Sequence, residues 1–286
     1  MAIDSTVQQD KIALVTGGTN GLGYETALRL AQSGAAVILV GRNADKGTAA
    51  VAAIQAQAPT AKVEFWAYDL ALMRAVQALA DRVQERQLRL NWLVQCAGVM
   101  LPRRTLTAEQ LETVFAVQYL ARFLLTQQLA DTMTADGRIL SVSAAGTIPI
   151  RLDFDNMMGE KWYNGIYALI HESVANDLFA LKFIAATQNS TPRFFNYGPF
   201  FVHTGLFATM PLWFKLVLVT GGRLVATTPQ DAANHMTALL TGDYPSGLYG
   251  RHLRRIRPST YRTNVSIQER LWTYSEQVIA KVLSTT

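Results

Sequence analysis

The segment from Lys11 to Gly23 reads KIALVTGGTNGLG, an apolar run that ends at Thr16-Gly17 and continues with Gly21 and Gly23 in a T-G-x-x-x-G-x-G spacing. A β-like run, Ile12 to Val15, that breaks into glycines and resumes with helical spacing at Leu22, Ala27, Leu28 and Leu30 describes a strand, a tight turn and a helix N-terminus. The first glycine permits the turn, the second lets backbone N–H groups approach phosphate oxygens, and the third packs helix against strand. The helix N-terminus adds partial positive charge. Gly17, Asn20, Gly21, Leu22 and Gly23 are therefore expected to cradle a dinucleotide pyrophosphate. Glycine-rich turns also occur in plain strand-to-helix connections, so the reading rests on context. A second apolar run, Ala36 to Val40, follows at the distance of a βαβ unit.

That alternation continues along the chain. Strands are expected near 11–16, 36–41, 62–68, 91–97, 138–143 and 193–198, with helices near 22–33, 44–57, 71–86, 107–132 and 163–188. Such an order predicts an α/β fold, a doubly wound parallel sheet with helices on both faces. At 286 residues, half of them apolar, the chain can bury one full core. We expect one domain over residues 11–286 after an N-terminal arm of residues 1–10. Thr107-Ala108-Glu109-Gln110 reads as a capping box opening the 107–132 helix, and Thr228-Pro229-Gln230-Asp231 as an N-cap with Pro at N1. An amphipathic helix is expected from about 268 to 282.

Composition narrows the function classes. The formal charge is +5, yet the basic residues are scattered except in Arg251-His252-Leu253-Arg254-Arg255-Ile256-Arg257. No aromatic residues interleave that run, which reads as a solvated edge or loop rather than a nucleic-acid site. The one cysteine, Cys96, excludes an internal disulfide, suits a reducing compartment and falls in an apolar strand where core packing is the simplest role. Residues 1–9 lack the basic and apolar regions of a signal peptide, so a cytoplasmic protein is expected. The apolar stretch Pro211 to Thr220 is interrupted by Lys215 and is too short to span a bilayer; it suits a substrate lid over about 204–226. The four histidines lack ligand spacing, so no metal site is expected.

Taken together, these motifs resemble the short-chain dehydrogenase/reductases, a Rossmann-type family, and particularly its retinol-dehydrogenase-like and fungal secondary-metabolism branches. Thr16 to Gly23 matches the family's cofactor turn, and Asp69-Leu70 matches the pair that meets the adenine. Gln95-Cys96-Ala97-Gly98 is similar to the family's N-N-A-G, with Gln in the first slot. Phe201-Val202-His203-Thr204-Gly205-Leu206 after Pro199 resembles its P-G-x-V-x-T-G-L segment, in which Thr204 would reach the nicotinamide side; Phe200 stands where that segment has Gly. Arg270 to Glu276 resembles the C-terminal helix of the retinol-dehydrogenase branch. The second strand ends Val40-Gly41-Arg42-Asn43 with no acidic residue to accept a ribose 2′-hydroxyl. Arg42 would instead clamp the 2′-phosphate of NADP(H), or else is an ordinary surface charge.

The resemblance implies a Ser that binds the substrate oxygen, a Tyr that exchanges the proton, a Lys four residues later and an Asn on an earlier helix. Ser143 matches the Ser, unless a shifted register puts Ala144 there, and the Asn slot falls on Gln118. The run Ala175-Asn176-Asp177-Leu178-Phe179-Ala180-Leu181 matches the stretch after the Lys, and Tyr163-Asn164 matches upstream. Without a gap, Leu169 then takes the Tyr slot and Ser173 the Lys slot. A two-residue slip would instead present Tyr167 and His171, which keep the four-residue spacing. The two registers lie roughly 200° apart on a helix, so one face cannot serve both.

Ser143, Tyr167, His171 and Tyr163 are the candidate catalytic residues, with His203 a candidate substrate contact and Tyr119 expected in the core. Gly17, Asn20, Gly21, Leu22, Gly23, Arg42, Asp69, Leu70, Gly98 and Thr204 are the candidate cofactor contacts. The expected function is NADP(H)-dependent carbonyl reduction or alcohol oxidation on a small apolar substrate, natural products among the candidates, with remodelled Tyr and Lys positions. The alternatives are a non-redox cyclase, dehydratase or isomerase on the same scaffold, or a non-catalytic nucleotide-binding protein. The family resemblance implies a homodimer or homotetramer.

Overall fold

The computed structural model describes residues 8, 10–146, 149–187, 192–199 and 227–285. The expected N-terminal arm, apart from residues 8 and 10, and the whole of the expected lid therefore lie outside the described residues.

Apolar residues alternate along the strands, and the sheet separates them into two cores. Eight strands run in the order β3-β2-β1-β4-β5-β6-β7-β8. They are β1 (Ile12–Thr16), β2 (Ala36–Gly41), β3 (Val63–Ala67), β4 (Leu90–Gln95), β5 (Met133–Val142), β6 (Arg193–Tyr197), β7 (Gly247–Tyr249) and β8 (Arg255–Ile256). The first seven pair in parallel and β8 adds antiparallel to β7. On one face, Leu14, Leu93, Ile139 and Phe194 pack with helices α3 (Met73–Glu85), α4 (Thr113–Phe115), α5 (Ala121–Leu129), α6 (Gly165–Ala186) and α8 (Val265–Ser284). On the other, Val15, Val94, Leu140 and Phe195 pack with α1 (Gly21–Gln32), α2 (Ala44–Gln57) and α7 (Pro229–Thr241). This is the doubly wound architecture expected from the strand and helix alternation.

The 107–132 helix is not continuous. Thr107 does not cap it: its hydroxyl accepts the N–H groups of Glu109 and Leu111 in a local turn. The helix starts six residues later, where the Glu112 carboxylate accepts the N–H groups of Val114 and Phe115. Glu109, the other half of the expected capping box, reaches across to the open N-terminus of α3 and accepts from Met73 and Arg74. Residues Ala116–Leu120 form a single π-turn between α4 and α5, a feature that widens a helix and often marks a functional position. By contrast, Thr228 caps α7 as expected, accepting the Asp231 N–H with Pro229 at N1. The basic run ends in the sheet edge: Arg255–Ile256 is β8 itself.

Strand order reverses between β1 and β4, since β2 and β3 lie on one side of β1 and β4 to β8 on the other. The connections leaving the carboxyl ends of β1 and β4 diverge there and open a crevice, which in doubly wound sheets is the ligand site.

Candidate active site

Backbone hydrogen bonds carry the sheet past its strand ends and gather the expected cofactor residues along that crevice. Gly17 N–H donates to Val40 O at 2.9 Å, Tyr68 N–H to Gly41 O at 2.9 Å and Cys96 N–H to Thr16 O at 3.1 Å. Gly17, Arg42, Asp69 and Gly98 thus follow the carboxyl ends of four neighbouring strands.

The glycine turn has the shape a pyrophosphate needs. Gly17 has φ 67°, and a Cβ there would stand 2.8 Å from Ala97 N and Cα. A Cβ on Gly23 would stand 2.4 Å from Gly17 O, so the first turn of α1 can lie against the strand end only as glycine. Asn20, the N-cap of α1, makes no side-chain capping bond, and the first turn holds no acidic residue. The amides at this helix N-terminus are left for an anion. Leu22 is buried in the core behind the turn. Asp69 folds its own connection, its Oδ1 accepting the Ala71 N–H at 3.0 Å, and Leu70 is buried beneath it. Arg42 is exposed just beyond β2, and it forms no ion pair with a described carboxylate. Turn, helix terminus and guanidinium together fit a phosphorylated dinucleotide, whose nicotinamide would supply the hydride chemistry. Thr204 and His203 lie outside the described residues.

A match to the short chain dehydrogenase family model covers residues 11–151. Mouse retinol dehydrogenase 11 is 32% identical over 273 residues, which cover 93% of this chain and 85% of that protein. This chain belongs to the short-chain dehydrogenase/reductase family. Human polyprenol dehydrogenase is 30% identical over 281 residues, covering 93% of this chain and 84% of the relative. A short chain dehydrogenase of Burkholderia cenocepacia J2315, solved in complex with NADP, superposes with a TM-score of 0.68 at 22% identity, over 86% of this chain and 97% of that one. That likeness shows the fold.

One face of α6 is hydrogen-bonded to the segment that follows β5. Ser173 Oγ accepts the Ala144 N–H at 2.9 Å, and one turn on, Asp177 Oδ2 accepts the Gly146 N–H at 2.9 Å. The face of α6 carrying residues 169, 173 and 177 therefore lies against the segment that follows β5. Ser143, at the start of that segment, donates to Asn196 Oδ1 at 3.0 Å, and Asn196 Nδ2 donates to Asp177 Oδ1 at 2.8 Å. Asp177 and Arg262 form a buried ion pair at 2.7 Å.

Tyr167 and His171 sit on a different face. Their rings stack at 5.4 Å, Trp162 packs on Tyr167 at 4.4 Å, and His171 Nε2 accepts the Asp153 N–H at 2.9 Å. With Tyr163, Glu112 and Glu172 they line a cavity with about 20 Å³ of room for a water centre, enough for one water. The structure thus brings three of the four candidate catalytic residues together and leaves Ser143 with Asn196. Burial drives the His171 pKa down to about 4 and pushes the Tyr167 phenol up, with Asp153 adding to the Tyr167 shift. Burial and then the Glu112 charge push Tyr163 up as well, and its hydroxyl donates to Leu101 O at 3.2 Å. Neither phenol is readied to ionise near neutral pH, the opposite of what a tyrosine proton donor and acceptor needs.

Several site neighbours are absent from the sequence expectations: Asn196, Asp177, Arg262, Glu172 and Arg122. Asp177 lies within a motif and Glu172 lies on α6 between His171 and Ser173, whereas Asn196, Arg262 and Arg122 meet the site from segments far apart in the chain. Tyr119 is in the core as expected, its hydroxyl paired with Ser275 Oγ at 2.8 Å. Among the described residues, no cluster of three or more His, Cys, Asp or Glu could hold a metal ion, and no helix is long and apolar enough to cross a membrane.

Proposed function

We propose that this chain is an NADP(H)-dependent oxidoreductase that interconverts a carbonyl and an alcohol on a small apolar substrate, with its Tyr and Lys positions remodelled. The carrying observation is the glycine cradle at the open N-terminus of α1, with Arg42, which has no ion-pair partner among the described residues, one residue beyond β2 to take a 2′-phosphate. Relatives named for retinol and polyprenol, both apolar alcohols, support an apolar substrate. In this reading Gly17, Asn20, Gly21, Leu22 and Gly23 hold the pyrophosphate, Asp69 and Leu70 border the adenine, and Gly98 and Thr204 border the nicotinamide. Ser143 holds the substrate oxygen, residues 204–226 cover the pocket, and the α4–α5 segment and α6 join copies of the chain.

The contact of Ser173 with Ala144 favours the register in which Leu169 and Ser173 fill the Tyr and Lys slots. Tyr167 and His171, with Tyr163, then act from the neighbouring cavity or not at all. The same contact supports a second reading, a non-redox cyclase, dehydratase or isomerase that keeps the nucleotide as a structural element.

The deciding experiment incubates purified protein with NADP+ and retinol or polyprenol, and with NADPH and a panel of apolar aldehydes, following nicotinamide absorbance and product together. Stoichiometric nicotinamide turnover supports the oxidoreductase. Conversion of substrate with the nucleotide unchanged supports the non-redox reading, and neither supports a nucleotide-binding protein without catalysis.

A further inference from the structure

Among the buried side chains around the strand ends, Arg122 is the least expected. It lies on α5, one turn after Gln118, and is 5% exposed. Its Nη1 donates to Val142 O at 2.7 Å and to Ser141 Oγ at 3.2 Å, and its Nη2 donates to Ala97 O at 3.0 Å. Those two carbonyls belong to the residues immediately before Ser143 and Gly98. One guanidinium thus ties the carboxyl end of β4 to that of β5 at the two positions from which substrate and nicotinamide would be held.

The charge is not cancelled locally. Each hydrogen bond goes to a neutral acceptor, and Nε has no partner among the described residues. The carboxyl group coupled to Arg122 is that of Glu172 on α6, itself 2% exposed with Oε2 unpartnered. Burial, reinforced by the Glu112 charge, holds Glu172 well above the usual carboxylate range, although Arg122 pulls the other way. Burial lowers Arg122 only to about 10, so it stays cationic at neutral pH. On α6, Ser173, a neutral hydroxyl, is in contact with Ala144.

We propose that Arg122 is the positioning residue and the cation of this site: it fixes Ser143 and Gly98 through their preceding carbonyls and supplies from beneath the sheet ends the positive charge that α6 does not. Rested on the oxidoreductase reading, its task is to stabilise negative charge developing on the substrate oxygen as hydride arrives. A fixed charge in a water-poor site acts strongly on that oxygen without touching it.

Cys96, the sole cysteine of the chain, is a built-in reporter. Burial pushes its thiol up to about 12, and Arg122 is the group that pulls it down. The test measures the rate of Cys96 alkylation by iodoacetamide at fixed alkaline pH in the full chain without nucleotide, for wild type, Arg122→Gln and Arg122→Lys. Gln keeps a donor for the carbonyls without the charge, and Lys keeps the charge without the fork. A charge role predicts slower alkylation in Arg122→Gln, on the order of tenfold, with Arg122→Lys near wild type. A purely structural clamp predicts the reverse, since its loss would open the strand ends and speed alkylation in both variants; equal or faster rates in Arg122→Gln overturn the proposal.

The second readout is NADPH-dependent turnover, where Arg122→Gln should lower kcat on the order of 10²-fold with KM little changed, and Arg122→Lys should recover part of the loss. A loss confined to KM also overturns it. Failure of the wild type to turn over nicotinamide would count against the oxidoreductase reading alone, because the alkylation result does not depend on catalysis.

Discussion

Ser173 Oγ accepts the backbone N–H of Ala144 at 2.9 Å, one residue beyond Ser143. A short hydroxyl closes that distance where a lysine side chain would reach past the strand end into the crevice. Replacing Leu169 by Tyr and Ser173 by Lys together should therefore install a proton donor and its cationic partner on the face that meets the site. The expected gain in NADPH-dependent carbonyl reduction is about 10²–10⁴-fold, the usual worth of general acid–base catalysis. Steady-state rates of the double variant check it; a double variant that folds and binds NADPH without any gain would place the reacting face elsewhere on α6.

Much of this was legible in the sequence, for reasons particular residues make plain. Gly17 and Gly23 are demanded by local sterics, so their spacing was readable without knowing the rest of the chain. The alternation of Leu14 and Val15 between the two cores likewise follows from a period of two. Thr107 misled because a capping pattern describes only its own four residues, whereas Glu109 found its helix terminus 35 residues upstream in the chain. β7 and β8, three and two residues long, are too short to show periodicity. The Asp177–Arg262 pair joins residues 85 positions apart, and Arg122 meets Val142 across 20 positions, so no local pattern announces either.

The buried ion pair of Asp177 with Arg262 anchors α6 to the segment before α8, and Asp177 also holds Gly146 and Asn196. Asp177→Ala removes the carboxylate partner of a buried guanidinium and should cost about 3–5 kcal/mol of stability, read by urea denaturation. Asp177→Ala together with Arg262→Met should recover a substantial part of that loss.

His171 is neutral in the folded chain because burial holds its pKa down to about 4, whereas an unfolded histidine titrates near 6.5. A depressed folded pKa means that the unfolded state binds the extra proton first, so stability is intact above 6.5 and falls as pH drops toward 4. His171→Gln should flatten the stability curve over that window, measured as thermal midpoint against pH.

Glu172 has the opposite sign. Its folded pKa is raised by burial and by Glu112, so the unfolded chain releases a proton that the folded one keeps, and stability falls as pH rises above the usual glutamate range. Glu172→Gln is isosteric and uncharged, and should raise the thermal midpoint at pH 8 while leaving it nearly unchanged at pH 4. A lower midpoint at both would mean that Glu172 is ionised and paired in the fold.

With Arg42 exposed just beyond β2, the nucleotide cradle should distinguish NADP(H) from NAD(H). Titration of the purified protein with NADPH and with NADH, by nicotinamide fluorescence, for wild type and Arg42→Ala, measures that directly. Micromolar NADPH binding, much weaker NADH binding, and a 10–100-fold loss confined to NADPH in Arg42→Ala are predicted, matching about 1.5–3 kcal/mol for charged hydrogen bonds to one phosphate. Binding of neither nucleotide, or equal losses for both in Arg42→Ala, would contradict it.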